Sequence, residues 1–175
     1  MQVKQMTLAA AIVLALALAL AAAPAPALAA DCTSTGTGNW SAAATWSACN
    51  DGVPQAGDTV TVAATHVVTV DTDTAALASL TVAGTVQFDE TGAGRTMTVT
   101  GNLTVNSGGS VTVLVGGAAT THSLILGGNL SSSGNFDLAP NTGDSVVDIT
   151  FNKADGNQSI TNGSYRHRVV IGKDT

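Results

Sequence analysis

The chain has 175 residues and a formal net charge of −6, and 45% of its residues are hydrophobic, 10% charged and 3% aromatic. This length leaves room for about one domain. Abundant Thr, Val, Ser, Gly and Asn after residue 30 favour strands over helices. An acidic chain also repels phosphate backbones, which excludes nucleic acid as an expected partner.

Residues 1–29 are predicted to be a secretory signal peptide. Lys4 provides a positive start, Met6–Ala23 is an uncharged and mostly apolar run, and small residues follow it. Ala27 and Ala29 match the A-x-A preference of signal peptidases and place cleavage between Ala29 and Ala30. An uncleaved membrane anchor is the alternative, because the run approaches bilayer-spanning length. We expect the mature chain to be secreted or at the cell surface, without membrane contact after cleavage.

Cys32 and Cys49 are the only cysteines in the chain. Export would place them where a disulfide is stable. Closing a loop of this size stabilises a fold by about 3 kcal/mol in the chain-entropy model. A metal site is less favoured, because two cysteines without a nearby histidine provide too few ligands. We therefore predict a Cys32–Cys49 disulfide.

Residues 30–58 are predicted to form an N-terminal cap clamped by that disulfide. Trp40 and Trp46 lie six residues apart, and Pro54, Gly57 and Asp58 follow them. A stack of strands needs such a cover, because its first layer otherwise exposes an apolar cross-section and unpaired backbone groups. The alternative is that the two indoles stack on a sugar ring, but tryptophan is usually largely buried.

Residues 59–175 are predicted to be short strands separated by Gly, Asn, Ser, Asp and Thr. Apolar residues recur at every second position, which buries one face of each strand and leaves threonines on the other. These inward positions include Val60, Val62, Val68, Val70, Leu80, Val82, Val86, Phe88, Met97, Val99, Leu103, Val105, Val111, Val113, Leu124, Leu126 and Leu130.

The strands also form a degenerate repeat of strand, glycine and strand. We align three segments, Leu80–Val86, Met97–Leu103 and Leu124–Leu130, on glycines spaced 17 and 27 residues apart. One such unit cannot bury its apolar face alone, so successive units are expected to stack. The pattern favours a parallel β-solenoid. An antiparallel β-sandwich is the alternative, although sandwiches usually contain more aromatic core residues.

The order of Cys32, Trp40, Trp46, Cys49, Pro54, Gly57–Val60 and Ser79–Phe88 resembles the opening of bacterial secreted β-strand-repeat proteins. The same stretch is similar to the eight-glycine domain of extracellular proteins. The resemblance covers about Cys32 to Val105. It implies a right-handed parallel β-helix at the cell surface, often adhesin-like, in which the Trp–Trp–Pro–Gly–Asp segment begins the helix. It also implies that further repeats follow Thr175.

The polar residues show no catalytic signature. His66, His122 and His167 are far apart in sequence and are expected on the surface or in loops, so no metal site is predicted. Four acidic residues could bind calcium or act as the acid and base of a glycosidase. These residues are Asp71, Asp73, Asp89 and Glu90. The simpler interpretation is that they solvate corners between strands.

The sequence therefore predicts a non-enzymatic, structural or adhesin-like β-solenoid module without a cofactor. Its expected partner is a cell-surface or extracellular glycan or protein. Two alternatives stay open. The chain could begin a β-helical polysaccharide lyase or hydrolase, or it could self-assemble through an open strand edge around Val169–Ile171.

Overall fold

The computed structural model describes residues 28–140, 145–154, 156–161, 165–166 and 169–170. The predicted signal peptide up to residue 27, His167 and the end of the predicted edge at Ile171 lie outside these residues. Within the described part of the chain, no helix is both long enough and apolar enough to cross a bilayer.

The described residues form seventeen short β-strands and one 3₁₀ turn, Ala43–Thr45. The strands are β1 (Asp31–Ser34), β2 (Gly38–Asn39), β3 (Trp46–Ser47), β4 (Thr59–Val62), β5 (Val67–Val70), β6 (Ser79–Val82), β7 (Thr85–Phe88), β8 (Thr96–Val99), β9 (Leu103–Val105), β10 (Ser110–Val113), β11 (Thr121–Leu126), β12 (Leu130–Ser132), β13 (Asn135–Asp137), β14 (Val146–Phe151), β15 (Ile160–Thr161), β16 (Tyr165–Arg166) and β17 (Val169–Val170).

These strands belong to three sheets. Sheet A has the order β15-β12-β9-β6-β4-β1-β3, sheet B the order β16-β13-β10-β7-β5-β2, and sheet C the order β17-β14-β11-β8. From β6 onward the chain visits sheets A, B and C in that fixed order. Every strand pair is parallel except β1 with β3. The prediction of an all-β fold with parallel strands is confirmed, and the antiparallel sandwich is wrong.

The register of the sheets confirms one half of the predicted repeat and corrects the other. Met97 pairs with Leu124 in sheet C, and Leu103 pairs with Leu130 in sheet A, so these two segments are equivalent. Leu80, however, pairs with Leu103 and not with the position of Met97. The alignment of the first segment was wrong, because each corner of the fold carries a similar strand–glycine–strand pattern and alternation does not say which sheet a strand joins.

The core is a set of stacked aliphatic columns. In sheet A, Val60, Leu80, Leu103 and Leu130 occupy one register position on neighbouring strands, and all four are buried. Alternate residues of each strand face outward and are half-buried threonines and serines in most cases. Each fully buried Val or Leu contributes about 1.5–3 kcal/mol of transfer free energy. The aliphatic interior predicted from the alternation is confirmed.

One corner leaves no space for a side chain. A Cβ on Gly128 would collide with the backbone carbonyl of Gly101 in the preceding layer. The asparagines beside these glycines form hydrogen bonds between successive layers. Asn102 Oδ1 accepts from Asn129 N at 2.9 Å, and Asn129 Oδ1 accepts from Ser159 N at 2.9 Å. The glycines permit close stacking, and the asparagines satisfy amides that the sheets do not pair.

Candidate functional site at the Asp89 corner

The candidate site lies where the chain passes from sheet B to sheet C. β7 ends at Phe88, a loop runs through residues 89–95, and β8 begins at Thr96. β11 pairs with β8 and brings His122 beside this loop. The topology thus gathers Asp89, Arg95 and His122 from two successive layers.

Asp89 and Arg95 form a bidentate ion pair. Arg95 Nη2 donates to Asp89 Oδ2 at 2.8 Å, and Arg95 Nε donates to Oδ1 at 3.2 Å and to Oδ2 at 3.1 Å. Thr91 Oγ1 donates to the same carboxylate at 2.9 Å. The side chain of Asp89 is 5% exposed and that of Arg95 is 21% exposed, so this is a largely desolvated pair. Such pairs are costly to break, because one charge is then left buried.

Opposing effects determine the pKa of Asp89. Burial raises it, but the hydrogen bonds from Arg95 and Thr91 and the guanidinium charge outweigh burial, and the pKa lies below its ordinary value. The hydrogen bonds that Arg95 donates to Asp89 in turn raise the pKa of Arg95. Both groups are therefore charged at neutral pH. The expectation that Asp89 merely solvates a corner was wrong, because its carboxylate is buried and paired with Arg95.

His122 is buried, contrary to the expectation that it lies on the surface or in a loop. It occupies an inward position of β11, is 1% exposed and has its ring centroid 5.3 Å from that of Phe88. Its Nδ1 accepts a hydrogen bond from the backbone N–H of Arg95 at 3.1 Å. Its Nε2 is buried and has no hydrogen-bond partner among the described residues.

Burial lowers the pKa of His122 below its ordinary value. The charge of Arg95 acts in the same direction, whereas the charge and the backbone of Asp89 oppose it. The hydrogen bond at Nδ1 requires that this nitrogen carry no proton, which also favours the neutral ring. His122 is therefore a neutral, inward-facing ring that holds the Arg95 backbone through Nδ1.

The other acidic residues of the predicted set lie near the same corner. Asp71 follows β5 and accepts from Ser41 N at 3.0 Å and from Ser41 Oγ at 2.6 Å. Asp73 accepts from Thr96 N at 2.8 Å. Both carboxylates raise the pKa of Arg95 through their charge, so they lie within its field. Neither residue is on a strand, and each accepts a hydrogen bond from a backbone amide.

Glu90 is half-buried, and its Oε2 is buried without a partner in the described part of the molecule. It lies against the backbone of Gly117 in the next layer. The described residues contain no group of three or more His, Cys, Asp or Glu side chains that is arranged to hold a metal ion.

A cavity of about 420 Å³ lies on the outer side of sheet C next to this corner. Its lining includes Arg95, Thr96, His122, Ser123, Asp148 and Thr150. Thr96, Ser123 and Asp148 occupy one register position on β8, β11 and β14. The cavity offers hydroxyl groups and one carboxylate beside an arginine that is already paired. This outer surface is therefore polar.

The N-terminal segment contains the predicted disulfide between Cys32 and Cys49, whose Cα atoms are 4.8 Å apart. Trp40 and Trp46 are 2% and 6% exposed, and their ring centroids are 4.8 Å apart in an edge-on arrangement. Trp46 Nε1 donates to the Trp40 carbonyl at 2.8 Å. These indoles offer no exposed face to a sugar, and their role as a cover stays a prediction.

The rest of the predicted cap surrounds a buried carboxylate. Pro54 and Asp58 are buried, and Gly57 takes a positive φ of 85° between them. Asp58 Oδ2 accepts from Gln55 N at 2.7 Å and lies 3.4 Å from Cys32 Sγ, while Oδ1 accepts from Ala30 N at 2.7 Å. Asp58 therefore connects the loop before β4 with the segment that leads into β1.

Arg95 was not identified from sequence as the partner of Asp89, and His122 was not placed in the interior. Arg95 is the only Lys or Arg between Lys4 and Lys153, and it follows a loop with two glycines that begins at the acidic pair of Asp89 and Glu90. His122 shares the parity of Leu124 and Leu126, which predicts an inward side chain. The isolated positive charge could have indicated Arg95, and the alternation along the strand could have indicated His122.

Comparison with known proteins finds one family. Residues 45–130 match the model of the G8 domain, a family of extracellular domains. The matched stretch begins in the 3₁₀ turn before β3 and ends at the first residue of β12, and it includes the Asp89 corner. No curated protein and no solved structure matches the chain.

Proposed function

We propose that the mature chain is a non-enzymatic, right-handed β-solenoid that serves as a structural or adhesin-like module at a bacterial surface. The observation that carries this proposal is the fixed order in which the chain visits sheets A, B and C, with parallel register between layers. A chain that advances by one layer per circuit builds an elongated body with long regular faces.

Two observations support an extracellular location. The Cys32–Cys49 disulfide is typical of oxidising compartments. The G8 match at residues 45–130 is to an extracellular family.

The engagement of the acidic residues supports a non-enzymatic role. Asp89 is neutralised by Arg95, and Asp71 and Asp73 accept hydrogen bonds from backbone amides. A glycosidase needs one carboxyl group that can donate a proton and another that is free to act on water or sugar. Because Asp89 stays ionised and paired, this corner favours a structural role over that of a lyase or hydrolase.

The outer face of sheet A is the surface best suited to adhesion. All outward positions of β4, β6, β9 and β12 are Thr or Ser, and Thr61, Thr81, Thr104 and Ser131 follow one another in register. Threonine is stiff at χ1, so its hydroxyl groups are held in a regular array. An uncharged hydroxyl face suits a neutral glycan or the polar surface of a protein.

The proposal is tested with beads coated with the chain from Ala30 to Thr175, assayed for retention on bacterial and host cell surfaces and on a glycan array. We expect Thr81→Lys to reduce binding roughly tenfold or more, because a contact would then bury an unpaired charge. Thr112→Lys adds the same charge to the outer face of sheet B and should bind normally. Absence of binding by the parent chain, or reproducible cleavage of any glycan, would contradict the proposal.

Self-assembly is a second candidate. Within the described residues sheets B and C each end at a two-residue strand, β16 and β17. A strand paired on one side only presents backbone groups to another chain. Light scattering of the mature chain over a concentration series is expected to show growth, and a strictly monomeric result would exclude this candidate.

A further inference from the structure

The backbone nitrogen of Ala30 lies 2.7 Å from Oδ1 of Asp58. The position of Ala30 does not depend on this contact alone. Its carbonyl accepts from Thr59 N at 2.8 Å, and Asp31, the next residue, pairs with Thr59 in the β1–β4 register. The sheet thus fixes the Ala30 nitrogen against the carboxylate.

Asp58 is 1% exposed and has no cationic side chain beside it in the part of the chain that the structure describes, where the single salt bridge joins Arg95 and Asp89. Its oxygens accept from two backbone amides, those of Ala30 and Gln55. A buried carboxylate held only by neutral donors retains a large cost of desolvation, which a nearby positive charge would offset.

The exposure of the chain changes at Ala30, although the carbonyl of Leu28 still accepts a hydrogen bond from the side chain of Asn50. Leu28 is 81% exposed and Ala29 is exposed, whereas Ala30 is half-buried and packs against the core. The boundary between the exposed and the packed residues is the peptide bond that the A-x-A pattern of Ala27 and Ala29 marks for cleavage.

We propose that cleavage between Ala29 and Ala30 creates an ion pair between the new α-ammonium group of Ala30 and Asp58, and that this pair locks the N-terminal cap of the mature protein. The inference rests on the predicted export signal and is independent of what the outer faces bind. In the cleavage a peptidase breaks the C–N bond with one water molecule. The Ala29 carbonyl carbon gains the hydroxyl group of the water and becomes a carboxylic acid, the Ala30 nitrogen gains the remaining hydrogen, and the amine then binds a proton from solvent.

The uncleaved chain offers Asp58 one N–H donor from Ala30, whereas the α-ammonium group offers three donors and a full charge at the same nitrogen. Thr59 and Asp31 hold Ala30 in both forms through the sheet. The precursor and the mature chain therefore differ at this point in charge more than in shape. The N-terminal cap is therefore less stable before cleavage than after it.

The test compares a chain that starts at Ala30 with one that starts at Ala29, each released from a fusion without extra residues. The extended chain keeps the Ala30 N–H but moves the charged amine one residue outward, so it is a matched control. We expect the pKa of the Ala30 α-amine, followed by NMR, to rise about one unit above its ordinary range of roughly 7.7–8.0. We also expect the unfolding equilibrium constant to be about tenfold smaller for the Ala30 start at pH 7.

The ion pair also predicts how the stability difference between the two chains changes with pH. A raised α-amine pKa stabilises the fold below the ordinary pKa, and this advantage over the extended chain is lost as pH rises through the raised value. Asp58→Asn should abolish the difference between the two starts, and if this variant does not fold, the pH series on the two Asp58 chains decides. Equal stabilities at pH 7, or an α-amine with an ordinary pKa, would overturn the ion pair. An exported protein whose first residue is not Ala30 would overturn its origin in processing.

Discussion

His122 Nδ1 accepts a hydrogen bond from the backbone amide of Arg95, so a buried imidazole holds the residue whose side chain neutralises Asp89. The backbone and the side chain of Arg95 are thus tied to different layers of the fold. Protonation of His122 would place two donors against each other at this contact and would leave a charge in the core. The corner therefore responds to acid through His122 before it responds through Asp89.

We predict that stability decreases as pH falls below about 6.5, the ordinary pKa of histidine. The pKa of His122 is lowered in the folded protein, so the unfolded chain binds more protons below this pH, and the free energy of unfolding falls. Asp89, whose pKa is also lowered, adds a second loss below about pH 4. Denaturant midpoints measured from pH 8 to pH 3 would show both steps.

His122→Asn is the matched variant for the first step. Its amide oxygen can replace Nδ1 as acceptor but does not titrate. The decrease between pH 7 and pH 5 should disappear in this variant, while the step below pH 4 remains. An unchanged profile in His122→Asn would show that another group causes the loss.

Replacing Arg95 should destabilise the fold, because it leaves the Asp89 carboxylate buried and unpaired. We expect Arg95→Ala to cost about 1–3 kcal/mol of the free energy of unfolding at pH 7. Asp89→Asn in the same chain should recover part of this loss, and a double-mutant cycle measures the coupling. Lys153→Ala removes an exposed charge and should change stability by less than about 0.5 kcal/mol. Additive effects at Asp89 and Arg95 would contradict the ion-pair interpretation.

The disulfide should be a main source of stability at the N-terminal end. Replacing Cys32 and Cys49 together with alanine is expected to lower the free energy of unfolding by about 3 kcal/mol, because the unfolded chain loses its closed loop. Chemical denaturation of the variant should coincide with that of the reduced parent chain. If the oxidised parent and the variant unfold together, the crosslink has no role in stability.

The Gly128 corner should not tolerate a side chain. Gly128→Ala places a Cβ against the carbonyl of Gly101, and we expect a loss of about 1–3 kcal/mol or failure to fold. Gly36→Ala is the control, because a Cβ there meets no atom within 4 Å. Its melting temperature should stay close to that of the parent. Equal stabilities of the two variants would argue against close stacking of the layers at Gly101 and Gly128.

Much of the fold follows from local patterns. Alternating Val and Thr in Thr59–Val62 predicts one buried and one outward face, and the structure has this arrangement. The pairing of Cys32 with Cys49 was accessible because the chain offers no other cysteine. The Asp89 corner was accessible only in part. Its acidic residues were noted, but the partner Arg95 and the inward ring of His122 were not.

The amino-acid sequence by itself determined that the chain is built of short strands with an aliphatic interior. Inward and outward positions alternate along each strand, so the residue pattern alone identifies them. The tertiary structure alone decided which strands are neighbours. Leu80 pairs with Leu103 in sheet A and Met97 with Leu124 in sheet C, although the strand pattern is the same in both sheets. The Asp89–Arg95 pair and the Ala30–Asp58 contact depend on that long-range register, and no local pattern encodes it.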